Sequence, residues 1–237
     1  MADTAIFDID GTLVDTNYQH ALAWYRALRR FDLTVPLWRI HRAIGMGGDQ
    51  IVAHLAGEDV ERRIGDALRE ASGREFAPFV DEVAPFAGAH DLLVDVRRRG
   101  FRTVLASSGK EQDIEHMLDL LDARDLADAW TTSADVESTK PAPDLLEVAT
   151  AKVDGTAVAM VGDATWDCIA ARRLGIPVLA VRTGGFSVDE LKEAGAAMVF
   201  SSLDELRDRL DETPLAQAGP PGRSAAGLSW GCRGSRR

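Results

Sequence analysis

The feature that most limits the fold is a regular alternation of short apolar strands and amphipathic helices after residue 86. Segments rich in β-branched residues, such as residues 103–106 and 157–161, alternate with helical segments of about ten residues. This alternation is typical of βαβ units and of a parallel sheet covered by helices. We therefore predict an α/β fold with a doubly wound parallel sheet, and we look for functional residues beyond the carboxyl ends of its strands.

A long helical stretch interrupts this pattern near its start. The chain opens on a short apolar strand at residues 4–7, and no further strand pattern appears before Phe86. Between them, apolar residues recur at helical spacing, as in residues 17–31 and 58–79. The intervening segment is therefore predicted to be a small all-α domain inserted into the α/β core.

The predicted domain boundaries follow from these patterns. Asp15-Thr16 and Pro85-Phe86 are expected to be the hinges of the insert. Beyond the last helix, proline, glycine, serine and arginine without periodicity predict a disordered tail. The division is a core at residues 1–15 and 86–212, a helical insert at residues 16–85 and a tail at residues 213–237.

Charge and cysteine content narrow the class of partner. The formal net charge of −11 argues against nucleic acids and anionic membranes as partners. The two cysteines, Cys168 and Cys232, give no disulfide framework. No apolar run is long enough to span a bilayer, and the strand that begins so early leaves no room for a signal peptide. We expect a cytoplasmic protein, monomeric or homodimeric.

Polar residues follow four of the predicted strands, at the point where each strand ends. A buried strand that ends in two acids is unfavourable unless the carboxylates bind a cation or other partner groups. Capping of the following helix is the alternative for Asp8, Asp10 and Asp163, and simple solvation is the alternative for Asp167. The four groups are Asp8 and Asp10; Ser107, Ser108 and Gly109; Lys140; and Asp163 with Asp167.

This ordered series resembles the haloacid dehalogenase-like (HAD) superfamily of phosphohydrolases. The first motif, Asp8-Ile9-Asp10-Gly11-Thr12, is followed by a serine, a lysine and the pair Gly162-Asp163 with a further aspartate downstream. The resemblance covers residues 1 to about 210. It implies a Rossmann-like core, and it implies that the helical insert is the small α-helical cap that this family places between its first and second motifs.

The resemblance also implies a role for each acidic residue. Asp8 is the expected nucleophile, which takes the phosphoryl group as an aspartyl-phosphate. Asp10 is expected to protonate the leaving group and then to activate water. Mg²⁺ is the expected cofactor, held by the Asp8 side chain, the Asp10 main-chain carbonyl and Asp163. Asp167 is expected to be a further ligand or to support the others.

Phosphate binding is assigned to the second and third motifs by the same resemblance. Ser107, preferred over Ser108 because it directly follows the strand, is expected to donate to a phosphoryl oxygen. Backbone N–H groups near Gly109 are expected to assist it. Lys140 is expected to offset the negative charge at Asp8 and on the transferring group.

The cap contributes weaker candidates for substrate contact. A lid excludes water from the reaction and adds substrate contacts. Gly45, Gly47 and Gly48 lie in the best candidate for a specificity loop, and a plain interhelix turn is the alternative. His20, on the first cap helix, is a candidate substrate contact or simply a packing residue.

The reaction that fits best is hydrolysis of a small phosphate monoester from a phosphorylated metabolite. Dehalogenation is disfavoured because Asp10 is present. The residues Asp15, Thr16 and His20 resemble the β-phosphoglucomutase branch, which leaves a phosphosugar mutase as the alternative. The segment 45–49 lacks the basic residues of that branch, which favours a phosphatase of the phosphoglycolate phosphatase kind. A non-catalytic binding protein with the same fold is the remote alternative.

Overall fold

Six parallel strands form the sheet that positions the site. The computed structural model describes residues 2–109, 111–136, 138–153 and 155–216, so most of the predicted tail lies outside the described residues. The strands are β1 (Ala2–Phe7), β2 (Arg102–Ala106), β3 (Ala129–Thr131), β4 (Thr156–Gly162), β5 (Val178–Val181) and β6 (Met198–Phe200).

The order of the strands creates a switch point beside β1. The strand order in the sheet is β3-β2-β1-β4-β5-β6. The chain therefore adds β2 and β3 on one side of β1 and then crosses over to add β4, β5 and β6 on the other side. Phe7, the last residue of β1, lies beside Leu105 of β2 and Val161 of β4. The loops after these three strands therefore meet at one edge, where doubly wound sheets bind ligands. This confirms the predicted fold class.

Helices cover both faces of the sheet. Those of the core are α5 (Ala89–Arg98), α6 (Glu111–Leu120), α7 (Asp144–Ala151), α8 (Thr165–Arg173), α9 (Val188–Ala194) and α10 (Leu203–Asp208). Alternate residues of β1 enter different clusters, with Phe7 in one and Ile6 in the other. Both are fully buried, which explains why the central strands read as continuous apolar runs.

The insert is helical throughout and has its own apolar cluster, which includes Trp24, Leu28, Ile40 and Leu68. Its helices are α1 (Asn17–Arg30), α2 (Leu37–Ala43), α3 (Gly48–Ala56) and α4 (Glu58–Phe76). The last helix ends earlier than residue 79, and a 3₁₀ helix at Ala77–Glu82 follows. Pro78 explains this, because it removes a backbone donor and crowds the preceding turn.

The two hinges lie side by side. Val14 pairs with Pro85 in an antiparallel bridge. The Asp15 N–H donates to the Ala84 carbonyl at 2.9 Å, and the Phe86 N–H donates to the Leu13 carbonyl at 2.9 Å. The chain therefore leaves the core for the cap and returns to the core at neighbouring points.

The described chain continues past the predicted start of the tail at residue 213. A 3₁₀ helix spans Leu210–Glu212, and Leu215 is fully buried in the cluster that contains Phe7. A single apolar residue outside any periodic pattern gives no sequence signal, so its burial was not predicted. No helix of the described part is long and apolar enough to cross a membrane.

Candidate active site

Three buried carboxylates meet at the switch point. One carboxylate oxygen from each of Asp8, Asp163 and Asp167 lies within 4.8 Å of the others. Asp8 follows β1, while Asp163 and Asp167 follow β4, on the neighbouring strand. All three residues are at most 5% exposed, so water screens their charges poorly.

Lys140 supplies positive charge to this cluster. Its Nζ contacts the Asp8 carboxylate and lies 2.8 Å from Oδ1 of Asp167. The side chain is 1% exposed. Although burial alone lowers the pKa of a lysine, the two carboxylates raise the pKa of Lys140 above its usual value, so it is charged. One ammonium group then faces three carboxylates, which leaves the cluster with excess negative charge.

Two residues that the sequence reasoning missed hold Asp163 in place. The Thr12 hydroxyl lies 2.7 Å from Oδ1 of Asp163 and 2.9 Å from Oδ2 of Asp8. The Asn17 side-chain amide donates to Oδ2 of Asp163 at 2.9 Å. Thr12 belongs to the first motif, which gives no separate role to this residue. Asn17 is the first residue of α1, a position with no pattern to reveal its role.

The excess negative charge of the cluster raises the pKa values of two of its carboxyl groups. Burial and the nearby carboxylates raise the pKa of Asp8 well above its usual value, although the charge of Lys140 acts to lower it. Burial and the charge of Asp167 raise the pKa of Asp163 to about 7. Three convergent carboxylate oxygens short of positive charge are a suitable donor set for a hard divalent cation such as Mg²⁺. Asp8, Asp163 and Asp167 therefore fit the expected metal.

Asp10 has a different environment from the other acids. One of its oxygens accepts from Thr16 at 3.0 Å and lies 3.2 Å from His20 Nε2, and the other accepts from Ser107 at 3.0 Å. Burial raises the pKa of Asp10, but these partners outweigh it and lower the pKa to about 2. The Asp10 side chain is thus held apart from the three-carboxylate cluster and is ionised at neutral pH.

The two serines after β2 differ in what they contact. Ser107 is fully buried, accepts from the Gly109 N–H at 2.9 Å and donates to Asp10. Ser108 lines the cleft, and its buried hydroxyl has no hydrogen-bond partner among the described residues. Ser107 is thus placed to orient Asp10, and Ser108 and Gly109 line the cleft. The preference for Ser107 as phosphate donor stays a prediction.

His20 lies between the cap and the core. Its ring stacks on Phe76 of α4, with centroids 3.9 Å apart and planes 2° apart. The same ring reaches Asp10 through Nε2. The stacking fixes the imidazole. His20, the predicted substrate contact from the cap, therefore lies beside Asp10 in the site.

A cleft of about 330 Å³ separates the cap from the core above Asp8. Gly45 and Gly48 line it, whereas Gly47 approaches the core so closely that a Cβ there would overlap the Thr139 side chain. The Gly47 N–H donates to the Lys140 carbonyl at 3.2 Å, and the Asp49 carboxylate accepts from the Thr139 N–H at 3.2 Å. The glycine loop is therefore docked onto the loop that carries Lys140. Its role as a specificity loop stays a prediction.

The family assignment follows from comparison with known proteins. Residues 5–181 match the model of the haloacid dehalogenase-like hydrolases. The chain belongs to this family. The family resemblance seen in the motifs is therefore confirmed, and so is the prediction of a HAD-like phosphatase, because the curated relatives of this HAD-like chain include several phosphatases.

Three relatives of this HAD-like chain illustrate the range of similarity. The fructose-1-phosphate phosphatase YqaB of Escherichia coli is 31% identical over 75% of this chain and 95% of its own. A phosphoglycolate phosphatase of Rhodospirillum rubrum is 28% identical over 93% of this chain and 100% of its own. The crystal structure of a hydrolase from Pseudomonas syringae aligns with a TM-score of 0.83 at 32% identity, covering 89% of this chain and 98% of the other.

Proposed function

We propose that the protein hydrolyses a small phosphate monoester with Mg²⁺, through an aspartyl-phosphate on Asp8. The observation that carries the proposal is the pairing of two different carboxylate environments at one cleft. Asp8 lies in the buried cluster with Lys140, and Asp10 lies apart with its pKa lowered to about 2. Asp8 thus has the charge partners of a nucleophile beside a metal site, and Asp10 is held separately by its own hydrogen bonds, as an acid–base group requires.

Asp8, Asp163 and Asp167 would hold the metal ion, and Thr12 and Asn17 would orient the ligands. When bound, Mg²⁺ offsets the charge of the carboxylates and of the phosphate dianion, so that an anionic nucleophile can approach an anionic ester.

In the first step the Asp8 carboxylate attacks phosphorus. A bond forms between a carboxylate oxygen and phosphorus, and the bond from phosphorus to the ester oxygen breaks. Asp10 delivers a proton to the departing alkoxide. Because Asp10 is ionised in the free protein, it must first gain that proton, and His20 at 3.2 Å is the group placed to share one with it.

In the second step water attacks the phosphorus of the aspartyl-phosphate. Asp10, now without its proton, removes a proton from the water. Its low pKa makes it a weak base, but its hydrogen bonds to Thr16 and Ser107 hold it in a fixed position for this step. Lys140 and the Ser108 hydroxyl stabilise the equatorial oxygens in both steps. Inorganic phosphate and free Asp8 result.

A phosphosugar mutase would need the same first step and a second phosphoryl acceptor. No observation in the described cap favours it over hydrolysis, and dependence of turnover on a sugar bisphosphate activator would identify it. A soluble phosphorylated metabolite as substrate, a cytoplasmic location and a monomer or homodimer are also part of the proposal, on the basis of composition.

The test is phosphate release from a panel of small monoesters, with Mg²⁺ or with EDTA. We expect metal-dependent release that Asp8→Asn abolishes. Asp15→Asn is the matched control, because Asp15 is an exposed carboxylate next to the same motif and its substitution removes the same charge. Asp10→Asn is expected to lose both alcohol release and steady-state turnover, because Asp10 protonates the leaving alkoxide and then activates the water. Equal release by wild type and Asp8→Asn would contradict the proposed nucleophile.

A further inference from the structure

The cap wall of the cleft decides what leaving group the site accepts. Its apolar members are Trp24, Ile44, Met46 and Phe76, and Ser72 adds an uncharged polar group. Trp24, Ser72 and Phe76 are each at most 8% exposed, so they form a fixed surface. Aromatic and small polar side chains of this kind suit the C–H faces and hydroxyl groups of a neutral polyol.

Two basic residues of the fully described cap line the cleft, and neither offers a free charge. His20 is committed to Asp10. Arg69 lies along the wall, with its stem close to Gly48, but its guanidinium is bound elsewhere. Its two terminal nitrogens donate to both carboxylate oxygens of Glu61 at 2.8 and 3.0 Å. The same nitrogens also donate to the Gly48 carbonyl at 3.0 Å and to Asp66 at 2.8 Å.

A glycine in the middle of α4 makes the Glu61–Arg69 pair possible. Residues eight apart on a helix are separated by about 12 Å along its axis, beyond the usual i, i+4 reach of a helix ion pair. Gly65 lies between them, and a Cβ on it would be 2.5 Å from Oε1 of Glu61. Glycine is unfavourable inside a helix relative to alanine. Its presence here gives the Glu61 carboxylate room to lie over the helix and reach Arg69.

The remaining charge on this wall is acidic. Asp49 lines the cleft and is bound to Thr139 of the core. A carboxylate or second phosphate on the leaving group would meet this acid and a guanidinium already neutralised by Glu61. Burial of an unpaired charge is strongly unfavourable.

We infer that the substrate is the phosphate monoester of an uncharged polyol or sugar, and that the Glu61–Gly65–Arg69 arrangement excludes leaving groups with a second anionic group. This inference rests on the proposed phosphatase function and names its substrate class.

Two pairs of esters test the inference, because the members of each pair differ only in a terminal CH₂OH or carboxylate. They are glucitol 6-phosphate with 6-phosphogluconate, and 2-hydroxyethyl phosphate with 2-phosphoglycolate. For the wild-type protein with Mg²⁺ we expect kcat/KM to be at least about tenfold higher for the neutral member, the size of one charge-assisted interaction.

Two variants remove the contact of Arg69 with Glu61 in different ways, and they leave in place its contacts with the Gly48 carbonyl and with the exposed Asp66. Gly65→Ala displaces the Glu61 carboxylate, and Glu61→Gln removes its charge while keeping its shape. Both are expected to raise kcat/KM for the acidic esters about tenfold and to leave the neutral esters within about twofold. Glu58→Gln is the matched control, since Glu58 is an exposed acid on the same helix, and it is expected to change neither value. Circular dichroism melts verify that each variant is folded.

The outcomes separate the inference from the function on which it rests. Faster hydrolysis of the acidic esters by wild type, or a neutral-to-acidic ratio unchanged in both variants, overturns the inference while the phosphatase function stands. Turnover of p-nitrophenyl phosphate without turnover of either neutral ester does the same. Absence of metal-dependent release from every ester overturns the phosphatase function and the inference with it.

Discussion

Removal of the metal should make the stability of the protein fall as pH rises. Folding raises the pKa of Asp163 from 3.8 to about 7, so the folded state binds a proton that the unfolded chain has lost. The sign follows: ΔG of unfolding decreases as pH rises from 3.8 towards 7 and levels off above it. Between pH 5 and pH 8 this carboxyl accounts for about 2–3 kcal/mol. Asp8, whose pKa is also raised, acts in the same direction.

A loss of that size corresponds to roughly 4–12 °C in Tm for a chain of this length. The assay is a thermal melt at pH 5, 6, 7 and 8, with EDTA or with Mg²⁺. Mg²⁺ should abolish most of the pH dependence, because it stabilises the ionised carboxylates. Asp163→Asn should flatten the metal-free profile and weaken the response to Mg²⁺. A metal-free protein as stable at pH 8 as at pH 5 would refute the reasoning.

Three further outcomes follow from buried contacts. Lys140→Met leaves the carboxylates of the cluster without their cation and should lower the metal-free ΔG of unfolding by about 3–5 kcal/mol, measured by urea denaturation, with partial recovery at pH 5. His20→Gln keeps a hydrogen bond to Asp10 but removes the imidazole that lowers the pKa of Asp10. That pKa should rise, so the basic limb of the kcat/KM profile, on which Asp10 loses the proton that it gives to the leaving group, should move to higher pH. Leu215→Ala should cost about 2–5 kcal/mol of stability without changing KM, because Leu215 is fully buried in the core cluster and does not line the cleft.

The positions of the strands, and of the polar residues that follow them, could be predicted because the alternation of apolar strands and amphipathic helices is visible in short stretches of sequence. A parallel sheet brings the ends of its central strands to one edge, so the residues after residues 4–7, 103–106 and 157–161 were expected to meet, and they do. The helical insert was equally clear, since no strand pattern occurs within it. Four motifs in order on four strand ends carried the family assignment.

The contacts within the site could not be predicted to the same depth. Asn17 and Asp163 are 146 residues apart, and nothing in either local pattern indicates their hydrogen bond. The division of labour between Ser107 and Ser108 depends on a loop conformation that two adjacent serines do not encode. The pairing of Glu61 with Arg69 depends on Gly65, which at the sequence level is only a weak helix residue.

The neighbouring entry and exit points of the cap make it an exchangeable module. Because Val14 and Pro85 pair directly, the core strand and α5 need only a short turn between them to be connected. Closing a loop of about seventy residues in place of one of about five costs only about 2 kcal/mol. The cap has an apolar cluster of its own to offset this cost. Recombination at this bridge can therefore give the same reaction centre a new specificity without rebuilding the sheet.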